Sequence, residues 1–277
     1  MPPLRTSYDC AVNESVFTLR RGRAPLLVSL PHTGTRIPDE LKPPFHKRAL
    51  ALQDTDWHLD QLYTFARELG AGILVPHCSR YVIDLNRPPG DSPMYAGANN
   101  TGLVPTRSFE GEPLYRDGLE PDRAEIVRRL ECYWRPYHET LATELARIKA
   151  VHGYAVLWDG HSIRSRLPWL FEGALPDLNL GTARGTSCPA SLALALRRVL
   201  ESQDRFTHVV DGRFTGGYIT RHYGRPEERV HAVQLEMCWS CYMIEAPPYT
   251  VDPARAAALV PVLRRLLETA LAWRPDG

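Results

Sequence analysis

Short apolar runs alternate along this chain with longer stretches of helical period. The runs 26–30, 73–75, 80–85, 155–158, 207–211 and 230–236 have the length and the aliphatic content of buried strands. Between them, residues 54–69 put Leu59, Leu62, Tyr63 and Ala66 on one helical face, with Gly70 as the stop. Asp122 stands where it can cap a long helix whose apolar face is Ile126, Leu130, Tyr133, Tyr137, Leu141, Leu145 and Ile148. Pro136 falls inside that pattern and should kink it. Helices are also expected over 189–202 and over 253–272, the latter opened by Asp252-Pro253 as N-cap and N1. Residues 10–24 read as an edge strand or hairpin with a basic turn. The segments 88–120 and 162–188 read as long loops of the kind that wall a site. Strands alternating with helices predict an α/β fold, three layers (α/β/α) around a mostly parallel mixed sheet, in one domain over 1–277.

Composition narrows the partners. At 277 residues, with 44% hydrophobic and 23% charged residues, the chain is an ordinary globular protein long enough for one large α/β domain. A net charge of +1 gives no general attraction to nucleic acid or to an anionic membrane. No apolar stretch approaches the roughly 20 residues of a membrane span. The start, Met1-Pro2-Pro3-Leu4-Arg5, lacks a basic segment followed by an apolar core, so a cytoplasmic enzyme is the expectation. Six cysteines are too few for a disulfide scaffold. Cys238-Trp239-Ser240-Cys241 has redox spacing but follows a strand rather than opening a helix, so buried, inert thiols are expected.

Three apolar runs lead into a residue able to bind a metal or move a proton: 26–30 into Pro31-His32-Thr33-Gly34, 155–158 into Asp159-Gly160-His161-Ser162, and 230–235 into Glu236. Open α/β sheets bind ligands beyond the carboxyl ends of their strands. A zinc hydrolase uses three protein ligands and keeps one position open. His32 and His161 suit imidazole ligation, the plain alternative being two hydrogen-bonded loop histidines. The acidic ligand is expected in Asp54-Thr55-Asp56-Trp57-His58. There Asp54 reads as a helix N-cap, Asp56 is preferred as ligand, and His58 stays open. Glu236 should be partly buried, either as a base for water or as half of a structural ion pair.

Arg80-Tyr81-Val82-Ile83-Asp84-Leu85-Asn86-Arg87 is the densest local signal. Asn86 and Arg87 would emerge at a strand end, where a guanidinium fork can hold a substrate carboxylate, with Asp84 orienting it. Arg164 and Arg221 are further cationic candidates, each against the alternative of a surface arginine. Ser29 and Ser162 lie near histidines, but no Gly-x-Ser-x-Gly elbow exists. Phosphate-loop and dinucleotide fingerprints are absent as well.

In motif order, Pro31-His32-Thr33-Gly34, Asp54-Thr55-Asp56-Trp57, the run from Arg80 to Arg87, Asp159-Gly160-His161-Ser162, residues 176–181, residues 216–224 and Gln234-Leu235-Glu236 resemble the N-formylglutamate amidohydrolases. The resemblance covers most of the chain. It implies a zinc-exopeptidase-like (phosphorylase/hydrolase-like) fold and hydrolysis of N-formyl-L-glutamate to formate and L-glutamate in histidine degradation. It also implies a zinc cofactor, Co2+ or another divalent metal being the alternative, and a small dicarboxylate substrate. A motif arginine near the substrate and a late-strand catalytic glutamate belong to the same pattern. One departure stands out: the related carboxypeptidases use His-x-x-Glu, whereas Thr35 stands three residues after His32. Another acyl-amino-acid amidohydrolase or carboxypeptidase-like enzyme is the neighbouring reading, and a non-catalytic carboxylate-binding protein the more distant one.

Overall fold

The computed structural model describes residues 15–92 and 99–275. Seven strands among them form one sheet: β1 (Phe17–Arg20), β2 (Leu26–Ser29), β3 (Gly72–Pro76), β4 (Ala155–Ile163), β5 (Leu178–Gly181), β6 (His208–Val210) and β7 (Val230–Cys238). Their order is β1-β3-β2-β4-β7-β5-β6. The central strands β3, β2, β4 and β7 are mutually parallel. Antiparallel pairs occur where β1 meets β3 and where β5 meets β7, so the sheet is mixed but mostly parallel. The helices are α1 (Leu59–Leu62), α2 (Arg123–Arg129), α3 (Arg135–His152), α4 (Ala190–Glu201), α5 (Tyr218–Tyr223) and α6 (Pro253–Ala272).

Strand alternation divides the core in two. Leu26, Val28, Val156, Trp158, Val233 and Leu235 pack with α1, α4 and α6, whose inward residues include Leu59, Leu196, Leu263 and Leu267. Leu27, Leu74, Leu157 and Ala232 point the other way, onto Tyr137, Leu141, Leu145 and Ile148 of α3 and Ile219 of α5. This is the expected three-layer architecture. Each fully buried leucine contributes roughly 1.5–3 kcal/mol of transfer free energy. Asp252 accepts hydrogen bonds from the backbone N–H groups of Ala254 and Arg255, which starts α6 at Pro253. Asp122 accepts from Glu125 N at 2.8 Å and starts α2 in the same way. Pro136 is absorbed by a π turn over Leu130–Trp134 that joins α2 to α3. No helix of the described residues is long and apolar enough to cross a membrane.

Four expectations need correction. Residues 80–85 are buried but form turns, not a strand. Side chains there outcompete a ladder: Ser79 Oγ accepts from Tyr81 N, and Asp84 Oδ1 accepts from Asn86 N. Residues 54–58 are also turns, and the helix expected from 54 shortens to α1 and a 3₁₀ turn over Thr64–Arg67. His58, with φ of 63°, sits in the left-handed region just before α1. The loop expected over 162–188 contains β5, added antiparallel to β7. Finally, β4 and β7 run past their apolar segments, so His161 and Glu236 lie within strands rather than beyond them. Of the segment 10–24, only β1 and its turn lie within the described residues.

Candidate metal centre and active site

The site is built by three strands and the turns that follow them. After β2 the chain turns at Leu30-Pro31-His32, and His32 O accepts from Asp56 N at 3.0 Å, which draws the 54–57 turn onto the strand end. Gly34 lets this turn lie flat on the chain after β3, since a Cβ there would be 2.1 Å from the Cys78 carbonyl oxygen. On β4, the alternation that puts Leu157 in the α3 core puts Asp159 and His161 on the same face. In the parallel register of β4 with β7, His161 stands opposite Glu236.

These residues converge. His32, Asp56 and His161 are all buried, and one ligand atom from each lies within 4.8 Å of the others. His32 Nδ1 is 3.7 Å and His161 Nδ1 3.3 Å from Asp56 Oδ2. That carboxylate oxygen is buried without a hydrogen-bond partner, a costly condition that a cation would relieve. Two imidazoles and a carboxylate facing one point are an ordinary donor set for zinc. His32 has the outer support of a metal-binding histidine, its Nε2 donating to Asp84 Oδ1 at 2.7 Å, while His161 Nε2 stands at an ion-pair distance of 3.0 Å from Asp159 Oδ1. Asn86 Nδ2 also stands 3.0 Å from His161 Nε2.

The two histidines are pulled in opposite directions. Burial lowers the pKa of His32, and Arg80 acts in the same direction. Burial also opposes protonation of His161, but Asp159 and Asp56 outweigh it and hold that pKa well above the usual value. Asp84 stays ionised despite its burial, because Arg80 and His32 hold its pKa well below the usual range. Burial lifts the Glu236 carboxyl above the usual carboxylate range, and the neighbouring His161 pulls it the other way, so its proton affinity exceeds that of an exposed glutamate.

His32, Asp56, His161, Glu236, Asn86 and Arg87 all line one cavity, as do Arg80, Arg213, Phe109 and Gln234. It gives the centres of water molecules about 70 Å³, several times what a single water needs, so a small molecule fits. Both long loops contribute, through Thr101 and Phe109 from one and Leu170 and Phe171 from the other.

Other expected residues lie elsewhere. Arg164 is not on the cavity wall; it is engaged by Glu110, by Tyr249 Oη at 2.8 Å and by the face of Trp239. Arg221 is exposed, donates to Thr215 Oγ1 at 3.0 Å and is off the wall too. Asp54 is no helix cap: it accepts from Phe109 N, and burial raises its pKa to about 6. His58 bonds Tyr249 O at 2.7 Å. Asp84 was expected to orient Arg87 but instead bonds His32 and Arg80, while Arg87 donates to the carbonyl and hydroxyl of Thr101. Ser29 and Ser162 hydrogen-bond Tyr137 and Tyr242, so neither has a histidine on its hydroxyl. Cys238 and Cys241 are buried free thiols, and burial lifts both out of the reactive range.

Three contributors carried a weak signal or none. Arg80 opens the same motif as Arg87, but the strand reading gave it no reason to face a site. Asp159 looked like part of the strand-end turn, and its link to His161 appears only with the strand pleat. Arg213 stands alone in Asp211-Gly212-Arg213-Phe214, which has no motif character.

Residues 24–243 match the family model described as N-formylglutamate amidohydrolase. A protein of Pseudomonas aeruginosa called N-formylglutamate deformylase is 52% identical over 260 residues, covering 94% of this chain and 97% of the relative. Its counterpart in Pseudomonas putida is 51% identical over the same coverage. Among solved structures, an N-formylglutamate amidohydrolase from Ralstonia eutropha JMP134 superposes with a TM-score of 0.77 at 24% identity, covering 94% of this chain and 97% of that one. A gene product of Agrobacterium tumefaciens has the same fold, with a TM-score of 0.73, 18% identity and coverage of 94% and 96%.

Proposed function

This chain belongs to the N-formylglutamate amidohydrolase family, and on that premise we propose that it hydrolyses N-formyl-L-glutamate to formate and L-glutamate at the cavity around His32, Asp56 and His161. The observation that carries the site is the convergence of two imidazole Nδ1 atoms on a partnerless buried carboxylate oxygen, with Glu236 beside them. His32, Asp56 and His161 would hold a divalent ion, zinc being the one this donor set suits. Bound there, the ion supplies Lewis acidity that brings the pKa of water toward about 7 and polarises the formyl oxygen.

The chain's own residues do the rest. Glu236 takes the proton from the attacking water as its oxygen bonds to the formyl carbon. It then delivers that proton to the amide nitrogen as the carbon–nitrogen bond breaks, so glutamate leaves as an amine and formate remains. Arg80 is buried, fixed by Asp84 at 2.5 Å, and lines the cavity beside the histidines. Its charge is preorganised for the oxyanion that develops on the formyl oxygen. Arg87, held on Thr101, binds a substrate carboxylate, and Asn86 stands beside His161. Because one sheet carries β2, β4 and β7 together, we take the chain to act as a single α/β domain.

Glu236→Gln tests the proton assignment. The variant should bind metal as the wild type does and lose about 10²- to 10⁴-fold in kcat for formate release. Near-normal turnover would make Glu236 a structural residue and leave the reaction without its base.

A further inference from the structure

Among the described residues three guanidinium groups line the cavity, and their surroundings differ. Arg80 is committed to Asp84, with Asp54 and Asp56 adding to the negative charge around it. Arg87 is fixed on Thr101 and follows directly on Asn86, whose side chain reaches His161. Arg213 comes from the loop after β6. Its Nη2 donates to Leu170 O at 2.5 Å and its guanidinium carbon lies 5.6 Å from the centre of the Phe171 ring. Phe171 meets Phe214 edge to face at 6.5 Å, and both rings line the cavity with Leu170 and Ile163. Arg213 is therefore a cation set among apolar side chains of the cavity wall.

N-formylglutamate carries two carboxylates that are both ionised near neutral pH. Its α-carboxylate sits on the carbon that bears the scissile nitrogen, so it must lie close to the His161–Glu236 pair. The γ-carboxylate lies two methylenes further out. Those methylenes need apolar cover, and the carboxylate beyond them needs a cation at the end of that cover. Resting on the hydrolytic reading above, we propose that Arg213 is the specificity-determining residue that receives the γ-carboxylate, with Phe171 and Phe214 flanking the methylenes and Arg87 taking the α-carboxylate. A planar fork already held at one nitrogen loses little freedom when it binds a carboxylate.

The test compares kcat/KM on N-formyl-L-glutamate and on N-formyl-L-glutamine, which keeps the shape and the α-carboxylate but has a neutral side-chain end. Wild-type enzyme should prefer the glutamate substrate by about 10- to 100-fold, the range of a lost charge-assisted hydrogen bond. Arg213→Gln should collapse that preference to within about threefold, mainly through loss on the glutamate substrate. Arg87→Gln should lower both substrates by a similar factor and keep the preference. The ratio within one preparation does not depend on how much enzyme is folded, and Arg213→Lys, which keeps the charge and the stem, should retain part of it. A preference that survives Arg213→Gln, or that vanishes in Arg87→Gln instead, overturns the assignment. If the wild type cleaves neither substrate, the hydrolytic reading fails by itself. Calorimetry of L-glutamate against L-glutamine binding to the same variants then decides the role of Arg213 by the same ratio.

Discussion

Replacing Asp84 by asparagine should weaken the fold or the candidate metal centre without touching His32, Asp56 or His161. Asp84 is fully buried and serves three donors at once: His32 Nε2 at 2.7 Å, Arg80 Nη2 at 2.5 Å and Asn86 N at 2.8 Å. Asparagine has the same shape but only one acceptor oxygen, and its NH₂ group must face one of the old donors. Facing Arg80, it opposes donor to donor and leaves a buried guanidinium without its carboxylate, a loss of about 3–5 kcal/mol for a broken buried pair. Retention of the Asn86 contact argues for about 3 kcal/mol, a large part of the 5–15 kcal/mol of a typical domain. Facing His32 instead, the amide forces the imidazole proton onto Nδ1 and removes the lone pair that points at Asp56. That costs about 10- to 100-fold in metal affinity, as for other supporting carboxylates. Urea unfolding and competition for zinc against a chelator of known affinity read the two branches. A variant within about 0.5 kcal/mol of wild type in stability, and within twofold in zinc affinity, would refute the coupling of Asp84 to the site.

Two further outcomes follow from the same geometry. His138 is buried against Trp134, bonds Leu85 O at 2.8 Å, and burial lowers its pKa to about 3. In the unfolded chain it titrates near 6.5, so between those values the unfolded state binds the extra proton and folding loses stability as pH falls. From pH 7 to pH 5 this group should remove about 2 kcal/mol. His138→Gln should flatten the unfolding free energy over that interval by about that amount, and an unchanged slope would assign the acid sensitivity elsewhere. Arg164→Gln and Arg221→Ala, at positions off the cavity wall, should each keep kcat/KM for N-formyl-L-glutamate within about threefold; a hundredfold loss in either would bring that arginine back to the substrate.

The layers were legible because burial periodicity writes them directly. Leu27 and Leu157 alternate with Val28 and Trp158 whatever the chain does elsewhere, and α6 announces itself through Asp252 and Pro253. His32, Asp56, His161 and Glu236 were legible as chemistry lodged beside apolar runs, and they do meet in one cavity. The run 80–85 misled because burial in a turn and burial in a strand leave the same apolar trace. The deciding factors are the hydrogen bonds of Ser79 and Asp84 to the backbone, which hydrophobic pattern does not encode. Asp54 looked like a cap because a helix was expected to start there; the turn instead aims it at Phe109 and leaves Asp56 to the histidines. Arg213 was invisible for a different reason. It reaches the site only because β6 adds beside β5 and the long loop brings Leu170 and Phe171 to meet it, contacts far apart in sequence.

On the proposed reading, one metal ion at His32, Asp56 and His161 makes this cavity hydrolytic. Titrating zinc into metal-stripped enzyme, with formate release from N-formyl-L-glutamate followed at each addition, tests it directly. Activity should rise linearly from near zero to a plateau at one equivalent in the wild type, and Asp56→Asn should need a large excess of zinc. Full activity in the stripped enzyme, or an Asp56→Asn variant that titrates like the wild type, would contradict the account.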